Sequence, residues 1–251
     1  MHLSNEQIKR YSRQILLPQI GEEGQIKILS AKVCIIGAGG LGSALGYYLS
    51  AAGVGKICIV DNDIVELSNL QRQISHNTHR LGELKVLSAK KTFEALNPDV
   101  NVIPEKVRLC KDNILTLFEN YDIICDCSDN FETRFLINDS CIILNKPLIT
   151  GAVSQFEGQL AVIIPGESPC YRCLFESPPP LEFQASMQES GVIGFLPGVI
   201  GSLQAGEVIK LITGAGEILK GELLIYNALK QSFKKLKIPK NPNCTACGNK
   251  K

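Results

Sequence analysis

Short apolar runs alternate with longer amphipathic stretches along most of this chain, the pattern of strands feeding helices in an α/β sheet. Lys32 to Ile36 (KVCII) and Ile57 to Val60 are apolar and β-branched, as expected of parallel strands buried on both faces. Between them Leu41, Leu45, Tyr48 and Leu49 recur at helical spacing. A helix follows from about Lys85 to Leu96, stopped by Asn97-Pro98, then an alternating strand from Val100 to Pro104. A short helix is expected over Asn113 to Glu119, a third strong strand over Tyr121 to Cys127, a helix over Phe131 to Leu144 and a strand over Pro147 to Thr150. The N-terminal residues 3–30 read as helix, turn, helix: Ser4 and Gln7 form a capping-box pattern, Pro18 and Gly21 interrupt, and a helix resumes over Gln25 to Leu29.

Beyond Gly151 the character changes. Gln155 to Ile164 and Gly221 to Ile225 read as antiparallel strands, and Val199 to Ile212 as a mostly buried helix. Residues 176–190, opening on Pro178-Pro179-Pro180, have the polar, irregular composition of a crossover segment. The predicted fold is a Rossmann-like, doubly wound, mostly parallel sheet extended by antiparallel strands. A single domain is expected over residues 1–251: N-terminal helices over 1–30, an α/β core over 31–165, and a C-terminal region over 166–251.

Composition narrows the class. The 251 residues are 45% hydrophobic and 20% charged, enough for a sizeable core, and carry a net charge of +1. Such a balance argues against a nucleic-acid or anionic-membrane footprint. The charged N-terminus lacks a signal-peptide core, and the uncharged stretch from Ser190 to Gly206 is too short and too glycine-broken to span a bilayer. A cytoplasmic location is expected. Among ten cysteines, Cys34, Cys58, Cys125, Cys127 and Cys141 lie in or beside apolar runs as small hydrophobes, and Cys110 has no evident partner.

Candidate chemistry begins at Gly37-Ala-Gly39-Gly40-Leu-Gly42, directly after the first strand. Gly37 permits the tight turn, Gly39 lets backbone N–H groups approach a phosphate, and Gly42 permits close helix–strand packing. The helix N-terminus offers free N–H groups and partial positive charge to an anion. Asp61, 19 residues after Gly42 at the tip of the second strand, is placed to accept hydrogen bonds from ribose hydroxyls. Ligands of open α/β sheets bind outside the carboxyl ends of strands, so Asp61, Asp63, Asp129 and the glycine turn share one edge. Carboxylates beside a phosphate cradle suit Mg²⁺, although each aspartate could equally cap the helix it precedes. No G-x-x-x-x-G-K-[ST] occurs, which excludes a P-loop.

Cys170-Tyr-Arg-Cys173 and Cys244-Thr-Ala-Cys247 supply four thiolates for a closed, structural Zn²⁺ site. The 70 intervening residues (174–243) exceed a compact zinc ribbon, so the metal would staple the tail to the body. A thioredoxin-like redox pair is the alternative, but neither knuckle opens a predicted helix in that pattern.

These residues together resemble the ubiquitin-activating-enzyme-like adenylyltransferases, the ThiF/MoeB/HesA family. The likeness covers nearly the whole chain and rests on RYSRQILL at 10–17, GAGGLGS at 37–43, AGVG at 52–55, SNLQRQ at 68–73, Lys85, DCSDN at 126–130, EGQL at 157–160, CYRCL at 170–174, GVIGSLQAGEVIKLI at 198–212 and the CTAC tail. The resemblance implies binding of Mg-ATP and adenylation of the C-terminal Gly-Gly carboxylate of a small β-grasp sulfur-carrier protein, in molybdopterin or thiamine biosynthesis. It also implies that Gly39, Gly40, Asp61, Asp63, Asn69, Arg72, Gln73, Lys85 and Asp129 hold the nucleotide. Asp129 would anchor Mg²⁺. Arg13, which pattern alone leaves on a solvated helix face with Arg10, would reach the neighbouring subunit's site in a homodimer, and Cys170, Cys173, Cys244 and Cys247 would ligate zinc. Thiamine-branch members carry a cysteine four residues before a Gly-Val run; here Gly191-Val192 is that run and Met187 the matching residue, so activity ending at the adenylate fits better. A separate protein is expected to donate sulfur. An NAD-dependent oxidoreductase would share the glycine turn and Asp61, and a non-catalytic scaffold would share the fold. The oxidoreductase leaves SNLQRQ and Lys85 unexplained, and its acid/base residue would have to come from His2, His76 or His79.

Overall fold

In the computed structural model, residues 2–180 and 190–248 are described. Met187 and most of the expected crossover segment lie outside them. Two helices, α1 (Asn5–Ile15) and α2 (Gly21–Ser30), precede the strand β1 (Lys32–Ile36). The Ser4–Gln7 capping box forms at the start of α1. Helix α2 begins four residues earlier than the sequence pattern suggests, with Glu22 and Glu23 in its first turn, where the helix dipole favours acids.

The chain then alternates: α3 (Gly40–Ala52), β2 (Lys56–Val60), α4 (Lys85–Leu96), β3 (Asn101–Glu105), α5 (Ile114–Glu119), β4 (Ile123–Asp126), α6 (Phe131–Leu144), β5 (Leu148–Ser154) and β6 (Glu157–Ile163). A one-turn helix α7 (Tyr171–Leu174), the long α8 (Leu196–Thr213), β7 (Glu222–Asn227) and β8 (Ser232–Lys237) complete the described elements. The eight strands form one sheet in the order β3-β2-β1-β4-β5-β6-β7-β8. The first five are parallel and the last three pair antiparallel.

Side chains of β1 alternate between two cores, as the pleat demands. Val33 and Ile35 join Ile57 and Ile59 of β2 against Leu45 of α3, Phe93 of α4 and Val208 of α8. Cys34 and Ile36 face the other way, with Phe118 of α5 and Phe135 and Cys141 of α6. With both faces covered, these strands read as unbroken apolar runs rather than alternating ones. Strand order reverses between β1 and β4, which leaves a crevice at their carboxyl ends.

Three further elements differ from expectation. Strand β5 continues past Gly151 to Ser154, because beyond Thr150 it loses β4 but keeps its pairing with β6. Helix α8 starts at Leu196 instead of Val199, its first turn tolerating Pro197 where no N–H is needed. Strand β8 was not anticipated: its apolar Phe233 and Leu236 stand three apart and break the two-residue period, and all six residues are exposed. Lys234, Lys235 and Lys237 guard this sheet edge against further pairing.

Candidate active site and cysteine centre

The glycine turn closes off β1. Gly37 has φ +100°, and a Cβ there would lie 2.7 Å from the carbonyl oxygen of Cys127, just past β4. A Cβ on Gly42 would sit 1.9 Å from the Gly37 carbonyl, so the first turn of α3 packs directly on the loop. No side chain caps α3 at Gly39, which leaves its leading N–H groups for an anion.

Asp61 holds the turn from the next strand. Its Oδ2 accepts the Ala38 N–H and its Oδ1 the Asp63 N–H, both at 2.8 Å. Each oxygen keeps a second lone pair, so the carboxylate can fix the loop and still accept from a ligand. From the opposite side, His76 is buried with Nε2 2.9 Å from the Ala38 carbonyl and Nδ1 2.9 Å from Ser88 Oγ. A carbonyl only accepts, so Nε2 carries the proton and neutral Nδ1 accepts from Ser88. Burial lowers the His76 pKa; the Ala38 carbonyl and Asp61 oppose this, while Lys85 and Arg80 add to it. The sequence named His76 only as a candidate acid or base, yet both ring nitrogens serve the architecture. Its signal was a buried partner 38 residues away, which no local pattern contains.

Beside the turn lies a cleft of about 260 Å³ lined by Asp63, Asn69, Arg72, Gln73, Lys85 and Asp129, with Ile64 and Glu66 at its edge. Lys85, the first residue of α4, is buried to 8% side-chain exposure and pairs at 2.9 Å with Asp63, which is 61% exposed. A 3₁₀ turn, Leu67–Asn69, presents Asn69, whose Oδ1 accepts the Glu66 N–H. Arg72 donates only to the Ser68 carbonyl, at 3.2 Å, among the described residues. Buried Gln73 approaches the place a Gly39 Cβ would take, its Nε2 3.6 Å away. Asp129 need not cap α6, because Asn130 does so by accepting the Thr133 N–H. Gly39 and Gly40 open α3 beside these groups.

Arg13 stands apart from this cleft. Its neighbour Gln14 donates to Ala52 O at the far end of α3, about 18 Å along the helix from the glycine turn at 1.5 Å per residue. Arg13 is exposed, and Arg10 donates to the Leu96 carbonyl.

Against α6 the four cysteines converge. The sulfurs of Cys170, Cys173, Cys244 and Cys247 all lie within 4.8 Å of one another. Cys170 and Cys244 are 3.5 Å apart and Cys173 and Cys247 3.4 Å. Sulfurs on a tetrahedral zinc at 2.3 Å stand about 3.8 Å apart, so spacing and donor set suit a closed metal site. The Cys244 thiol is pulled down to about 7: burial raises it, but the Cys247 and Ala246 N–H groups prevail. Contrary to expectation, Cys170 does precede a helix, the single turn α7. That turn is pinned by α6, where Asn138 Oδ1 accepts the Tyr171 N–H and Asp139 receives both arms of Arg172 at 2.7 Å.

The model of the ThiF family matches residues 11–246. This chain belongs to the ThiF family. A sulfur carrier protein adenylyltransferase of Thermus thermophilus is 48% identical over 99% of this chain and 94% of its own length. An adenylyltransferase and sulfurtransferase MOCS3 of Xenopus laevis is 46% identical over 98% of the chain, which spans 55% of that relative's length. Among solved structures, E. coli MccB with ATP superposes with a TM-score of 0.86 at 25% identity, covering 96% of this chain and 75% of that one. MccB with MccA-N7isoASN gives the same TM-score at 24% identity, over 98% of this chain and 76% of that one. No helix among the described residues of this ThiF-family chain is long and apolar enough to cross a membrane.

Proposed function

We propose that this chain is a nucleotidyltransferase that uses Mg-ATP to adenylate the terminal carboxylate of a small sulfur-carrier protein. One observation carries this reading: two cations, two amides and three carboxylates line a single cleft beside an uncapped helix N-terminus at the strand-order reversal. The near full-length similarity to the Thermus thermophilus adenylyltransferase supports it.

The chain's own groups suggest the division of labour. The N–H groups at Gly39 and Gly40 and the Asn69, Arg72, Gln73 and Lys85 side chains receive the phosphates, and Asp61 receives the ribose. Asp129 would hold Mg²⁺, which supplies positive charge to the phosphates; Asp63 is engaged by Lys85. A carboxylate oxygen of the carrier attacks the α-phosphorus, the new O–P bond forms, and the bond to pyrophosphate breaks. The attacking group is already ionised, so no general base is required. Cations fixed where negative charge develops do most of the catalysis. This also disfavours an oxidoreductase: His76, the buried histidine at the turn, has both nitrogens occupied.

In this reading residues 1–251 act as one adenylation domain, with 166–251 facing a carrier ending in Gly-Gly, and the tail is stapled by structural zinc on Cys170, Cys173, Cys244 and Cys247. Arg13, remote from its own cleft, serves the partner's in a cytoplasmic homodimer, and a separate protein donates sulfur. The test is carrier-dependent ATP–pyrophosphate exchange, with mass spectrometry for an AMP adduct on the carrier. Exchange with no carrier dependence, or NADH binding in preference to ATP, would overturn the assignment.

A further inference from the structure

A second guanidinium stands next to the cleft but outside it. Arg134, in the first turn of α6, donates through Nη2 to the Ser128 carbonyl at 2.8 Å, one residue before Asp129. It lies 6.0 Å from the Phe131 ring centroid and lines one depression with the buried Tyr171. Among the described residues it has no carboxylate within 4 Å, unlike Arg172, which pairs with Asp139. The nearest buried acid, Asp126, is already taken: its Oδ1 accepts from the Ser128 N–H and hydroxyl and its Oδ2 from Thr150 Oγ1. Arg134 therefore keeps unused donors facing a small depression of about 20 Å³, walled by Thr150, Ala152, Gln159, Tyr171 and Phe175. That depression lies where the parallel sheet passes into its antiparallel extension, on the approach from β6 and β7 to Asp129.

We infer that Arg134 is a binding residue for the carrier's terminal carboxylate, receiving it at the mouth of the nucleotide cleft. The inference rests on the adenylation reading above and adds to it the group that brings the nucleophile in. A carboxylate approaching a site with Asp61, Asp63 and Asp129 is repelled by all three unless a cation accompanies it. Arg72 and Lys85 line the nucleotide cleft itself and are suited to the phosphates. A guanidinium offers planar, paired N–H donors matched to a carboxylate. Held through one oxygen, the carboxylate leaves its other oxygen free to attack.

The test uses a ubiquitin-fold carrier ending in Gly-Gly with its free carboxylate, and the same carrier made by semisynthesis with a terminal carboxamide. Wild-type enzyme is expected to bind the acid about tenfold or more tightly than the amide, as charge-assisted hydrogen bonds discriminate. Arg134→Gln should erase that preference and raise the carrier KM in pyrophosphate exchange by a similar factor, with the ATP KM unchanged; Arg134→Lys should restore part of it. Equal wild-type binding of acid and amide overturns the inference without any variant, as does a preference surviving in Arg134→Gln. The adenylation reading stands in both cases if exchange still requires the carrier, and fails separately if it does not.

Discussion

The nucleotide cleft and the cysteine centre solve the problem of buried polar groups in opposite ways. At the carboxyl edge of β1 and β4 the chain supplies its own partners: Asp61 has backbone N–H groups, His76 has Ala38 and Ser88, and Lys85 has Asp63. At the cysteine centre the four sulfurs crowd together, and beyond β8 the tail adds a few hydrogen bonds, among them Ile238 N–H to the Gly221 carbonyl and Asn241 to Glu176. One part of the molecule is therefore preorganised and the other conditional. A cleft meant to stabilise developing charge must be rigid before its ligand arrives. A staple can wait for its metal, because a closed tetrahedral ion provides the geometry when it binds.

The largest effect should come from breaking the conditional end. Cys244→Ser is expected to abolish metal binding, read as loss of one zinc per chain, and to expose residues 238–243 to proteolysis. ATP affinity should change less than about threefold, since the cleft borrows nothing from the tail; a collapse of ATP binding would show the two regions are not separable. Next, Arg72→Ala should slow pyrophosphate exchange by about 10²–10³-fold, the cost of one preorganised charge-stabilising donor, with the melting temperature nearly unchanged. Wild-type exchange in that variant would place the phosphates elsewhere.

A smaller effect is pH-dependent. The folded-state pKa of His76 lies below its ordinary value, so the unfolded chain binds a proton that the native chain resists. Stability is full above about pH 6.5 and falls as the pH drops below it. The same decline should be absent from His76→Asn, which itself costs about 1–3 kcal/mol through buried groups left unpaired. Differential scanning calorimetry at pH 7.5 and 5.5 compares the two. Smallest of all, Glu167→Gln removes an exposed pair with Lys220 and should shift stability by less than about 0.5 kcal/mol.

What could be read from the sequence follows the same divide between local and distant causes. The glycine turn, Asp61 and the parallel strands were legible because turn chemistry, strand composition and spacing act within about 30 residues. The cysteine pairs were legible as donors, though not the α6 residues Asn138 and Asp139 that seat the first knuckle. Strand β8 escaped because an edge strand with no inward face has no reason to alternate. The inward roles of His76 and Asp126 escaped for a different reason: their partners are assembled by topology alone.

The ion pair between Lys85 and Asp63 gives the cleft a threshold. Its ammonium is not idle, so an incoming anion must outcompete a carboxylate already in place. Polyphosphate can do so, by presenting several charges at once; a single phosphate competes on nearly equal terms. Occupancy should therefore rise far more steeply with ATP than with AMP, and the spent nucleotide meets a lysine with somewhere else to go.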